Sequence, residues 1–214
     1  MLVRSEQAFG AREVLAPVSA APRIWVADGF LSEQEAERLL ALVPRENSPE
    51  AAALRAQRNE TGFSFELPVD SAPFLGQLRD RLTQLLGLEN QVGESFRFRR
   101  YAPGEGHPEH LDCYVIGGAS LTFTALMHLE EGAEGGATHF PKAPEGPVTV
   151  EPRRGRLVVW ANHTAEGRPD PASLHRGEHL ESGGKSTLTW FVYTPLAGAA
   201  HTPGTGLFVA PEPQ

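Results

Sequence analysis

The sequence predicts a mainly β fold: a jelly-roll or barrel core buttressed by helices that precede it. Two amphipathic helical patterns lie before Gly93, and after Gly93 short apolar runs alternate with Gly and Pro turns. Many short strands separated by turn residues read as a barrel or jelly roll. Helices first and strands afterwards place the helices on one side of the β core.

Each element follows in order. Residues 1–22 form an extension of mixed polarity ending in Ala21-Pro22, and Arg23-Ile-Trp-Val-Ala-Asp28 is strand-like. Gly29-Phe30-Leu31 leads to Ser32, an N-cap, and Glu35 three positions on completes a capping box. Leu39, Leu40, Leu42 and Val43 supply the apolar face of that helix. Residues 44–60 are polar, carry Pro44 and Pro49, and read as a loop with a helical piece around 51–57. A loop over 47–65 could close over a substrate, or be a plain connector. Leu75, Leu78, Leu82 and Leu85 predict a helix from Pro73 to Leu86, which Gly87 ends. Strands are expected at residues 95–101, 121–129, 148–150, 157–160 and 186–193. The chain thus divides into the extension, one domain over 23–195, and a Gly/Pro-rich tail over 196–214.

Composition narrows the function classes. The 214 residues are 40% hydrophobic and 21% charged, which suits one globular domain with a real core. A net charge of −8 argues against a nucleic-acid partner, which normally needs a basic patch. Cys113 is the one cysteine, so no intrachain disulfide forms, which fits a reducing compartment. No apolar run reaches the ~18 residues of a membrane span. Arg4, Glu6, Arg12 and Glu13 interrupt the stretch where a secretory signal would need continuity. A cytoplasmic location is expected.

The chemistry centres on His110-Leu-Asp112. On a strand, residues two apart share a face, so this pair can address one metal ion. A second histidine would complete a 2-His-1-carboxylate facial triad, the arrangement of non-haem Fe(II) oxygenases. His107-Pro-Glu109 is a rival match, but Pro108 makes it a poor ladder strand. Downstream, His175 closes Asp170-Pro-Ala-Ser-Leu-His175, and Lys185 follows ten positions later. A lysine near a metal could take the far carboxylate of a dicarboxylate cosubstrate as a point charge.

Here the sequence resembles the prolyl 4-hydroxylase branch of the 2-oxoglutarate- and Fe(II)-dependent dioxygenases, over roughly Pro22 to Pro195. Arg58-Asn-Glu-Thr-Gly62 is similar to that family's Arg-Thr-Ser-Ser-Gly. Arg100-Tyr-Ala-Pro-Gly104, running into His110, resembles its Arg-Tyr-x-x-Gly lead to the His-x-Asp. Leu126-Met-His-Leu129 and Glu134-Gly-Gly-Ala-Thr-His-Phe-Pro141 resemble its Leu-Met-Tyr-Leu strand and Glu-Gly-Gly-Glu-Thr-x-Phe-Pro turn. Residues 152–160 and 170–175 match its next two blocks.

The resemblance implies a double-stranded β-helix core, jelly-roll and cupin-like. It implies iron ligands at His110, Asp112 and His175, and a salt bridge from Lys185 to 2-oxoglutarate. Tyr101, Thr124 and Trp190 are implied to line the cosubstrate pocket, although the family's tryptophan usually lies one residue later. The implied reaction is hydroxylation of an unactivated C–H by O2, with 2-oxoglutarate decarboxylated to succinate and CO2 and ascorbate as reductant.

Three readings share this site: a hydroxylase of prolyl residues in peptides or proteins, a hydroxylase of a free amino acid or small metabolite, and a non-catalytic sensor. The intact ligands and lysine disfavour the third. His128 and His139 read as structural histidines with local hydrogen bonds. Arg97, Arg99 and Arg100 could steer an anion, but a solvated strand face is the simpler reading. Cys113 should alternate away from Asp112 on a regular strand.

Overall fold

Ser32 begins the first helix through its own side chain. Its Oγ accepts from Glu35 N at 3.2 Å, and Glu35 Oε2 accepts from Ser32 N at 2.8 Å, the reciprocal capping box read in the sequence. The helix, α1 (Glu33–Leu40), buries Ala36 and Leu39. Helix α2 (Pro73–Leu85) starts with Pro at its first turn and buries Leu75, Leu78 and Leu82. The Arg81 guanidinium of α2 meets Glu35 at 2.8 Å and stacks over Phe30, tying the two helices together.

The computed structural model describes residues 15–44, 49, 61–88 and 94–196. The helical piece expected around 51–57, most of the 47–65 loop and the tail after Leu196 lie outside the described residues.

Among the described residues fourteen strands follow one another, beginning with β1 (Ala16–Ala20), β2 (Arg23–Ala27), β3 (Phe63–Pro68), β4 (Ser95–Tyr101), β5 (His107–His110), β6 (Val115–Ile116) and β7 (Ala119–His128). The second half adds β8 (Glu134–Gly135), β9 (Thr138–Phe140), β10 (Val148–Val150), β11 (Leu157–Ala161), β12 (His175–Gly177), β13 (Leu180–Ser182) and β14 (Lys185–Pro195). The main sheet runs β1-β2-β11-β7-β14-β4-β3, with β6 folded against β7. A second sheet runs β10-β9-β12-β5, and β13 pairs β8. Every pairing is antiparallel.

Two of these strands depart from expectation. Ala16–Ala20 lies in the segment read as an extension, yet it pairs with β2 as an edge strand. Phe63, Phe65 and Leu67 alternate with Ser64, Glu66 and Pro68, a period of two that makes β3 a strand where a loop was expected to reach Phe65.

The main sheet has two distinct faces. Phe96 and Phe98 of β4, Ala125 and Met127 of β7, and Leu188, Trp190 and Val192 of β14 pack against Leu39, Leu75, Leu78 and Leu82 of the helices. Each such buried side chain stabilises the fold by about 1.5–3 kcal/mol. The alternate residues of the same strands face the second sheet. There Ile24, Val158 and Trp160 meet Phe140 and Val150 in a second core. Beside that core the sheets enclose a cavity, walled by the inward residues of β4, β7 and β14.

Candidate metal centre

His110 and His175 stand directly opposite each other across the β5–β12 ladder. Asp112 lies just past the end of β5 rather than on it, so the His-x-Asp pair owes its convergence to a strand end and not to a regular pleat. β5 is an edge strand, which is why it tolerates Pro108.

Each imidazole is aimed by a backbone carbonyl two residues before it. His110 Nδ1 lies 2.8 Å from Pro108 O, and His175 Nδ1 lies 2.9 Å from Ser173 O. For His175 the preceding turn supplies the geometry. Asp170 Oδ1 accepts from Ala172 N at 2.9 Å, and Ser173 Oγ donates to Asp170 O at 2.7 Å. With Nδ1–H donating to a carbonyl, the neutral ring keeps its lone pair on Nε2. Both Nε2 atoms flank Asp112: His110 Nε2 is 3.4 Å from Oδ1, and His175 Nε2 is 3.7 Å from Oδ2. The three ligand atoms lie within 4.8 Å of one another.

The carboxylate is fixed from behind. Thr124 Oγ1 donates to Asp112 Oδ2 at 2.7 Å, and Asn162 Nδ2 donates to Thr124 Oγ1 at 3.1 Å. Trp160 stands edge-on to His175, with ring centroids 4.7 Å apart. Burial would raise the Asp112 carboxyl, but His175, which is charged only at acid pH, and the bonds from His110 and Thr124 hold it down at about 2. Burial pushes the His175 imidazole down to about 4 despite Asp112, so it is neutral near pH 7. A permanent carboxylate and a neutral imidazole with Nε2 free are what a borderline metal ion requires. The donor set fits iron.

Lys185, 4% exposed, lines the same cavity. Its Nζ donates to Gly136 O at 2.5 Å and sits 4.7 Å from the centroid of the Tyr101 ring. Gly136 has φ +70°, and a Cβ there would stand 3.0 Å from Lys185 Cδ, so the glycine makes room for the lysine stem. Burial pulls the ammonium down to about 8. No carboxylate among the described residues bonds to Lys185, and a buried ammonium left so is held open for an anion. His128 is near enough for the Lys185 charge to add to the burial that holds it at about 3. Neither of its ring nitrogens has a hydrogen-bond partner among the described residues, against the expectation of a locally bonded histidine. The buried Lys185 ammonium, in the cavity with no carboxylate bonded to it among the described residues, fits the distal carboxylate of 2-oxoglutarate.

A family model described as the 2OG-Fe(II) oxygenase superfamily matches residues 96–193, the segment that carries His110, Asp112, His175 and Lys185. Over that segment the chain is similar to the 2-oxoglutarate/Fe(II) oxygenase superfamily. Within that superfamily its similarities run to the prolyl 4-hydroxylase branch. It is 25% identical to probable prolyl 4-hydroxylase 4 of Arabidopsis thaliana, over 94% of this chain and 78% of that protein. It is 28% identical to prolyl 4-hydroxylase 1 of the same plant, over 80% of this chain and 69% of that protein. The fold matches the viral collagen prolyl hydroxylase of Paramecium bursaria Chlorella virus-1 in its 2-oxoglutarate complex, with a TM-score of 0.65 and 18% identity over 81% of this chain and 96% of that one. A Pseudomonas putida prolyl-4-hydroxylase superposes with a TM-score of 0.55 and 21% identity over 81% of this chain and 93% of that one. The mainly antiparallel jelly-roll architecture is thus shared, and the oxygenase is a 2-oxoglutarate-dependent dioxygenase.

The structure of this oxygenase brings Tyr101 and Thr124 to the cavity with the ligands and Lys185. Trp190 is elsewhere. It is fully buried on the helix-facing side of β14, beside Phe96, and its neighbour Phe191 lines the cavity instead. One step along a strand reverses the face. His107, set aside in the sequence because of Pro108, also lines the cavity, with its ring centroid 4.4 Å from that of His110. The arginine run splits the same way. Arg97 and Arg99 face the cavity, while Arg100 bonds to Ser186 Oγ on the other side. Arg176, the other cation near His175, is already paired with Glu178 at 3.2 Å and Glu109 at 3.4 Å. Cys113 turns from the cavity and donates to Asn162 O at 3.4 Å.

Proposed function

We propose that this oxygenase hydroxylates a prolyl residue of a peptide or protein. The observation that carries the proposal is that one cavity is lined by both the His110, Asp112 and His175 donor set and Lys185. The proline assignment is supported by the Arabidopsis relatives, which are named prolyl 4-hydroxylases.

When bound, iron and 2-oxoglutarate would supply the oxidation of a substrate C–H bond by O2, releasing succinate and CO2; the residues supply position and dryness. His110 and His175 would hold iron through Nε2, and Asp112 through a carboxylate oxygen. Thr124 and Asn162 keep that carboxylate from rotating. Lys185 would hold the distal carboxylate of the cosubstrate through a charge-assisted hydrogen bond, with Tyr101 beneath it. Leu126, Trp160 and Phe191 give the cavity an apolar wall that excludes water. Ascorbate as reductant belongs to the same proposal. So does a cytoplasmic location, which the single cysteine supports.

The test is succinate released from 2-oxoglutarate by the purified protein with Fe(II) and ascorbate under air, with and without proline-rich peptides. Release that rises with peptide, disappears in Asp112→Ala and His175→Ala, and is matched by one added oxygen on proline in the mass spectrum is the expected result. Ligand-dependent release that ignores every peptide would overturn the prolyl assignment and leave a small-molecule substrate.

A further inference from the structure

The cavity holds one cation more than the iron and cosubstrate account for. Arg97 is satisfied by Glu66, whose Oε1 accepts from its Nε at 2.8 Å and its Nη2 at 2.5 Å. Arg99, two residues on and facing the same way, has no acidic partner among the described residues. Its Nη1 donates to Thr61 O at 2.8 Å and to Thr61 Oγ1 at 2.9 Å, which pins one corner of the guanidinium. Arg99 lines the cavity, and the one carboxylate among the lining residues, Asp112, is already engaged by Thr124 and two histidines. Burial weakens the hold of Arg99 on its proton, as it does for any charge taken from water, and the neighbouring Arg97 adds to the effect.

Charge balance sharpens the point. Fe(II) and Lys185 together carry three positive charges, and Asp112 and the two carboxylates of 2-oxoglutarate three negative ones. Arg99 is left over. A half-buried guanidinium held by neutral groups is tolerated best where an anion arrives to complete it, and its flat fork suits a carboxylate.

We propose that Arg99 forms a subsite for a carboxylate of the primary substrate, so that the hydroxylated molecule carries an acidic group close to its reacting carbon. This rests on the oxygenase reading above but not on proline being the target. The carboxylate could belong to an acidic residue beside the target in a peptide, to a peptide C-terminus, or to a free amino acid.

The experiment is equilibrium binding to the holoenzyme with Fe(II) and 2-oxoglutarate under argon, where no turnover occurs. Three matched pairs serve as probes: acetylated proline peptides with Glu or Gln beside the proline, one proline peptide as C-terminal acid or amide, and free proline or prolinamide. The acidic member of at least one pair should bind wild type roughly 10-fold tighter or more, as for a charge-assisted hydrogen bond. The pair that responds names the source of the carboxylate. Arg99→Gln should erase that preference, and Arg99→Lys should restore part of it. Thermal melting of each variant separates a lost subsite from a lost fold.

Equal binding within all three pairs by wild type overturns the proposal, as does a preference that survives in Arg99→Gln. A loss of 2-oxoglutarate affinity in Arg99→Gln, with the substrate preference intact, reassigns Arg99 to the cosubstrate and also overturns it. Product analysis under air keeps the two readings apart. An acid preference that depends on Arg99, with no hydroxyproline formed, sinks the prolyl assignment and leaves the subsite standing.

Discussion

Thr124 donates its hydroxyl hydrogen to Asp112 Oδ2 across 2.7 Å, from a strand twelve residues further along the chain. Both groups are buried, and the hydroxyl is held in turn by Asn162. Removing a group that orients a metal ligand typically costs roughly 10–100-fold in metal affinity. Thr124→Val should therefore weaken Fe(II) binding by that factor, while Thr124→Ser, which keeps the hydroxyl, stays close to wild type. Metal titration followed by calorimetry checks it. Equal affinity in the valine variant would show that the ligand cluster positions Asp112 unaided.

The proposed role of Lys185 makes the cosubstrate step sensitive to alkali. Its ammonium is lowered to about 8, first by burial and then by the charge of Arg99. Only the protonated form can pair with a carboxylate, so binding of 2-oxoglutarate is unaffected below that value and weakens above it. Each further pH unit costs about 10-fold, since a proton must be taken up on binding. The expected result is a 2-oxoglutarate Kd that is flat to about pH 8 and rises beyond it. Lys185→Arg, whose charge persists, should flatten the rise. A wild-type Kd independent of pH up to 9.5 would mean that another group holds the carboxylate.

Gly136 gives that lysine its place. A side chain there meets a left-handed backbone, which costs roughly 1–2 kcal/mol, and a Cβ 3.0 Å from Lys185 Cδ. Gly136→Ala should lower the melting temperature and also raise the KM for 2-oxoglutarate. A KM unchanged beside a lowered melting temperature would confine the glycine to a backbone role.

Much of this was legible in the chain. The capping box at Ser32 and Glu35, the leucine spacing of α2 and the strands around residues 95–101 and 186–193 all follow from local periodicity. The grouping of His110, Asp112 and His175 was legible through its motif. What escaped has two physical causes. The resemblance places Trp190 in the pocket against the period of two in its own strand, in which Lys185, Thr187, Thr189 and Phe191 share the cavity side and Leu188, Trp190 and Val192 the other. Partners far apart in sequence cannot be paired by eye. Asn162 reaches Thr124 across 38 residues, and Arg97 finds Glu66 across 31, which is why one arginine of the run is neutralised and its neighbour is not. Pro108 misled for a third reason: proline is barred from central strands, but β5 is an edge.

The exchange of Trp190 and Phe191 yields a prediction with opposite outcomes at adjacent positions. Trp190 is wholly buried among Phe96, Leu188 and Val192, on the side of β14 that faces the helices. Trp190→Ala should destabilise the protein by about 3–5 kcal/mol, as large aromatic truncations in cores do. In a domain of this size that lowers Tm by roughly 10 °C or more, with 2-oxoglutarate affinity unchanged where the variant is folded. Phe191 is half-buried and lines the cavity. Phe191→Ala should lower Tm less and instead raise the KM of substrate or cosubstrate, because it removes apolar wall from the reacting space. Calorimetry and steady-state kinetics on the two variants decide the matter. A stable Trp190→Ala protein with impaired cosubstrate binding would return the tryptophan to the pocket and displace the register of β14 by one residue.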